Sequence, residues 1–97
     1  MNQLQQYEAY NELEKFDDEF WNLMNDRANA RTDEDLVNLK SRQDSLQTWI
    51  TSSLELKNAG IVMDSFFQSK EAMDFDTKSN LILDFLNMAL KKFVNFS

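Results

Sequence analysis

The 97-residue chain lacks cysteine, histidine and proline, and it contains a single glycine. Without thiols or imidazoles it has no disulfide, no zinc or haem site of the usual kind, no cysteine nucleophile and no imidazole base. One glycine is too few for a glycine-rich nucleotide loop or for the sharp turn that carries a catalytic serine. We therefore expect no enzyme and no bound metal or cofactor.

Long apolar runs are also missing. The longest apolar stretches are about three residues, far below the ~20 that a membrane-spanning helix needs. The first ten residues carry neither the basic segment nor the apolar segment of a secretory signal. We therefore expect a cytoplasmic protein that does not bind a membrane.

The first third of the chain has a helical pattern of apolar residues. Leu13, Phe16, Phe20 and Leu23 recur at spacings of three, four and three, and no proline or glycine interrupts them. This spacing predicts a first helix from about Gln3 to Asn29.

A second predicted helix begins at Thr32, a good N-cap that is followed by three acidic residues. It has a heptad-like seam, formed by Leu36, Leu39, Gln43, Leu46, Ile50 and Ser53. Polar residues in such a seam can set register and oligomeric state, although a short bundle also tolerates them. The segment Asn58-Ala59-Gly60 is the strongest helix stop in the chain.

Two further helices are predicted, at about Val62 to Met73 and at about Lys78 to Phe96, with Asp76 or Thr77 as the cap of the last one. Strand-like alternation is absent. The predicted fold class is all-α: residues 1–97 form one small antiparallel helical bundle or long helical hairpin of three to four helices. The seam of the second helix offers a surface for oligomerisation.

The charge of the chain is unevenly distributed. Residues 1–35 carry ten carboxylates against three basic residues, whereas residues 36–97 carry seven of each. The net charge of −7 therefore belongs to the first third of the chain. Basic residues are few and scattered, so we expect no direct binding of nucleic acid.

Aromatic residues lie beside carboxylates on one flank of the first predicted helix, where Tyr7, Tyr10 and Trp21 accompany Glu14 and Asp17. Aromatic residues are enriched at protein interfaces, although neighbouring helices cover most aromatics at helical spacing. The leading hypothesis is a non-enzymatic protein-binding module: an adaptor, assembly subunit or chaperone. Its predicted partner-binding residues are Tyr10, Asp17, Trp21 and Trp49.

Two other functions are compatible with the sequence. An acidic patch could mimic nucleic-acid phosphates and inhibit a DNA- or RNA-handling protein, although it could equally be a solvated face. The residues of that patch are Glu8, Glu12, Asp18 and Glu19. The third hypothesis is a purely structural homo-oligomer held by the seam from Leu36 to Ile50.

Overall fold

The computed structural model describes residues 2–61 and 74–93. These residues form four helices and no strand: α1 (Gln3–Ala28), α2 (Asp33–Ser52), α3 (Leu54–Asn58) and α4 (Phe75–Lys91). The predicted all-α fold is confirmed. The predicted helix from Val62 to Met73 lies outside the described residues.

The first helix, α1, begins with a reciprocal cap. The Asn2 side chain accepts from the backbone N–H of Gln5 at 2.8 Å, and the Gln5 side chain accepts from the Asn2 N–H at 3.1 Å. One stripe of the helix is buried, formed by Ala9, Leu13, Phe16, Phe20 and Leu23. The predicted bounds of this helix are correct to within one residue at its C-terminal end.

The second helix, α2, starts at the predicted cap. The Thr32 hydroxyl accepts from the N–H of Asp35 at 3.1 Å, and the Asp35 carboxylate accepts in return from Thr32. The backbone N–H of Arg31, followed by the bonds to Thr32, lowers the pKa of Asp35. This carboxylate therefore stays ionised at neutral pH and continues to accept the hydrogen bonds of the cap.

The second helix ends earlier than its pattern predicts. The backbone is extended at Ser53 (φ −66°, ψ 118°), and the Ser53 hydroxyl accepts from the N–H of Leu56, which starts α3. At the end of α3, Gly60 has φ +75°, and Ile61 donates to the Leu56 carbonyl at 2.9 Å. This is a Schellman ending, and Leu56 and Ile61, the two positions that usually carry apolar side chains in this motif, are both buried.

The last helix, α4, starts three residues before its predicted start. Its cap is Asp74, which accepts from the N–H of Thr77 at 2.7 Å, so the prediction of Asp76 or Thr77 was wrong. Hydrogen bonds from Thr77 lower the pKa of Asp74. The earlier start places Phe75 inside the helix, where its ring is buried in the core.

Contacts between the helices define the packing. Arg42 of α2 pairs with Asp26 near the end of α1 at 2.6 Å, whereas Trp49, further along α2, reaches Glu12 near the start of α1. These two contacts make α1 and α2 antiparallel. The helix α4 is also antiparallel to α1, because Asp76 at its start lies 3.4 Å from Arg27 of α1, and Phe93 beyond its end contacts Tyr10.

The core lies between these helices. Its largest fully buried side chains are Phe16, Phe20, Phe85, Leu13, Leu23, Leu56, Ile82 and Leu86. They come from α1, α3 and α4, and α2 adds Leu39, Leu46 and Ile50. Within the described ranges, no helix is both long enough and apolar enough to cross a bilayer.

One buried polar residue of the α2 seam holds α4 in place. The Gln43 amide donates to the Phe75 carbonyl and to the Ser79 hydroxyl, both at 2.9 Å. Gln43 is only 2% exposed, so these bonds satisfy an amide that is shielded from water. They also fix the position of α2 along α4. The seam residue Gln43 therefore stabilises the packing of two helices within one chain.

We predict that Gln43→Met lowers the free energy of unfolding by about 1 to 3 kcal/mol, because it leaves the buried Ser79 hydroxyl without this donor. In the Ser79→Ala background the same substitution is expected to cost less, since the lost partner is already absent. Urea unfolding of the four proteins measures both effects. Equal costs in the two backgrounds would show that the pair does not couple α2 to α4.

Candidate functional site

Aromatic side chains lie exposed along one side of α1. We define the aromatic flank as Tyr7, Tyr10, Glu14, Asp17 and Trp21, which follow one another at spacings of three, four, three and four. Tyr7 is 64% exposed, Trp21 48% and Tyr10 38%. This spacing forms a continuous ridge beside the buried stripe of the same helix.

Contacts within α1 fix the orientation of Trp21. Its indole N–H donates to Asp17 Oδ1 at 3.1 Å, and its ring lies 5.3 Å from the Phe20 ring in an edge-on arrangement. Phe20 is buried in the core, so it provides a rigid support for the exposed indole. Nearly half of the Trp21 surface is thereby held in solvent in a defined position.

Tyr10 has a similar arrangement about two helical turns before Asp17. Its ring contacts Phe93 with 5.7 Å between centroids. A hydrogen bond to Glu14, together with the negative charge of that carboxylate, raises the pKa of Tyr10. The phenol therefore stays protonated at neutral pH.

Trp49 is separated from the other three predicted partner-binding residues. Its indole N–H donates to Glu12, and its ring lies 5.6 Å from Phe16. Glu12 and Phe16 lie on the side of α1 that faces α2, more than a quarter-turn from Tyr10 and Trp21. The structure thus brings Tyr10, Asp17 and Trp21 together and places Trp49 in the contact between α1 and α2.

Two of the four residues of the predicted acidic patch depart from a single open face of α1. Glu12 is partly buried against Trp49, whereas Glu8, Asp18 and Glu19 are exposed. Asp18 projects about 100° away from Glu19 on the helix, as adjacent residues must. The acidic inhibitor stays a hypothesis, in which Glu8 and Glu19 share an exposed side of α1, Glu12 is bonded to Trp49, and Asp18 projects elsewhere.

The seam proposed for oligomerisation lies mostly inside the chain. Leu39, Gln43, Leu46 and Ile50 are buried, and Leu36 is partly buried. The homo-oligomer therefore stays a hypothesis that requires either a different surface or the opening of this packing.

Ion pairs neutralise other acidic residues of the bundle. The pairs within the described part of the chain join Arg42 to Asp26, Arg27 to Asp76 and Lys78 to Asp44. Across residues 2–61 and 74–93, none of them involves the two carboxylates of the aromatic flank. Among the described residues, Glu14 and Asp17 thus have no ion-pair partner.

A depression of about 400 Å³ lies at the opposite end of α1, where α2 and α4 begin. Arg27 and Lys40 line it together with three aspartates, so its charges are mixed. Thr32 and Asp74 already cap the two helix N-termini there. In the described ranges, no group of three or more acidic, cysteine or histidine side chains is placed to hold a metal ion.

Sequence reasoning identified the aromatic flank but not the bond between Trp49 and Glu12. The sequence held a signal for this bond, because Glu12 is one turn from Phe16 on the edge of the buried stripe.

No family model matches the chain, and searches of curated proteins and of solved structures find no significant match.

Proposed function

We propose that this chain is a protein-binding module whose docking surface is the aromatic flank of α1. The observation that supports this most strongly is Trp21: an indole that is 48% exposed, bonded to Asp17 and supported by Phe20. Tryptophan and tyrosine dominate the binding energy of protein interfaces when they are buried on association. A side chain that is already fixed loses little conformational freedom when a partner covers it.

The shape of the flank favours a helical partner. Residues spaced by three and four positions along one helix form a ridge, and such a ridge fits the groove of a second helix. The flank extends over fifteen positions from Tyr7 to Trp21, which corresponds to a rise of about 21 Å along the helix. Adaptors, assembly subunits and chaperones commonly bind an amphipathic helix in this way.

Affinity capture with matched variants tests this function. The full chain, Trp21→Ala and Leu54→Ala are immobilised and the bound proteins are identified by mass spectrometry. Leu54 is the control because it is a 65% exposed apolar residue of α3, a helix that contributes no residue to the flank. We expect a partner that the full chain and Leu54→Ala retain and that Trp21→Ala loses. Equal retention by all three proteins would contradict the proposed surface.

A further inference from the structure

The charges of the aromatic flank specify the chemistry of the partner. We propose that the flank binds a helical segment that presents two arginine side chains two turns apart. One guanidinium would pair with Glu14 beside the Tyr10 ring, and the other would pair with Asp17 beside the Trp21 ring. This inference rests on the proposed function, because it names what that surface recognises.

Each half of the flank joins one aromatic ring to one carboxylate a helical turn away. The indole of Trp21 uses only one oxygen of Asp17, Oδ1, as its acceptor. Tyr10 and Glu14 repeat this combination, because the Tyr10 ring is 38% exposed and its hydroxyl bonds to the Glu14 carboxylate. No ion pair among the described residues neutralises either carboxylate, so a cationic partner gains two charge-assisted bonds without breaking an ion pair described within the chain.

Arginine fits this combination better than lysine does. A guanidinium is planar, stacks on aromatic rings and donates two parallel hydrogen bonds to one carboxylate. It is also more weakly hydrated than an ammonium group, so it enters an aromatic surface at lower cost. A lysine would provide the charge but not the matching plane.

The spacing of the two halves sets the spacing of the arginines. The midpoint of Tyr10 and Glu14 lies seven residues before the midpoint of Asp17 and Trp21, which is about 10 Å along the helix axis. On a partner helix lying along the ridge, side chains seven positions apart share a face at this distance. The required pattern is therefore an arginine at each end of an eight-residue helical stretch, with apolar residues between them on the same face.

Indole NMR signals provide a direct test, because the chain has two tryptophans and each reports on a different surface. The probes are synthetic alanine-based helical peptides of equal length with arginines seven apart, arginines five apart, lysines seven apart, or glutamines seven apart. Substitutions to phenylalanine assign the two indole N–H signals. We expect the peptide with arginines seven apart to shift the Trp21 signal and to leave the Trp49 signal in place.

We expect this peptide to bind about tenfold more tightly than the peptides with five-residue spacing or with lysine, and the glutamine peptide to bind weakest. Asp17→Asn should weaken it by about tenfold while keeping an acceptor for the indole, so that Trp21 stays oriented. Glu8→Gln is the matched control, since it removes one exposed charge of α1 outside the flank. Helical circular dichroism of each variant verifies that the fold is intact.

Equal affinity for the arginine and lysine peptides, no response to Asp17→Asn, or equal shifts of both indole signals would overturn the inference. A captured partner that depends on Trp21 but lacks the arginine pair would also overturn it, and would leave the proposed function intact. Conversely, capture that is insensitive to Trp21 removes the proposed function even if the peptides bind.

Discussion

Replacing Phe16 with alanine is expected to lower the free energy of unfolding by about 3 to 5 kcal/mol. Its side chain has no exposed surface, and its ring lies 5.6 Å from that of Trp49. The substitution removes a large apolar side chain at the junction of α1 and α2, and the rigid helices around it cannot close the cavity. A small domain has only about 5 to 15 kcal/mol of stability, so the substitution would remove a large share of it.

Urea unfolding followed by helical circular dichroism measures this effect. Tyr7→Ala is the matched control, because Tyr7 is an aromatic residue of the same helix that is 64% exposed. We expect that control to change the stability by about 0.5 kcal/mol or less. If the two substitutions had similar costs, the assignment of the buried stripe of α1 to the core would be wrong.

Replacing Trp21 with alanine is expected to weaken the affinity for the captured partner by about thirtyfold or more, which corresponds to roughly 2 kcal/mol. The physical reason is that the exposed indole is the largest ordered aromatic side chain on the flank. The fold should survive, since Trp21 rests on Phe20 from outside the core. Titration calorimetry with the purified partner gives the affinity, and thermal unfolding gives the stability.

The same measurements on Leu54→Ala separate a local effect from a general loss of exposed apolar surface. That variant should bind as the full chain does. A collapse of the helical circular dichroism in Trp21→Ala would instead place Trp21 in the core and remove it from the binding surface.

Helix ends that depend on neighbouring residues in the sequence were predicted correctly. The spacing of apolar residues predicted the position of α1. Thr32 was the predicted N-cap of α2, and in the structure it forms a capping box with Asp35. The start of α4 was missed because Asp74, Asp76 and Thr77 are all good caps by residue type. Burial of Phe75 is consistent with the choice of Asp74, and it depends on contacts with distant parts of the chain.

The helix break at Ser53 was missed for a similar reason. Serine at a seam position is compatible with a continuous helix or with a new N-cap, and the pattern alone does not separate these cases. In the structure, the Ser53 hydroxyl caps α3, whose Leu56 is fully buried. The buried position of Ser53 in the seam is thus explained by its function as the N-cap of α3.

The candidate site could be predicted in part from α1 alone. Tyr10, Asp17 and Trp21 share a flank because they share one helix, and helical geometry places them without knowledge of the neighbours. Trp49 belongs to α2, and its position depends on which side of α1 that helix packs against. Its bond to Glu12 therefore required the tertiary structure.

Fluorescence quenching of Trp21 in the complex tests the central claim most directly. The Trp49→Phe variant leaves Trp21 as the single indole of the chain. In the free protein, acrylamide should quench Trp21 strongly, because nearly half of its surface is exposed. Binding of the captured partner should protect it. Unchanged quenching of Trp21 in a saturated complex would contradict the claim that the aromatic flank is the docking surface.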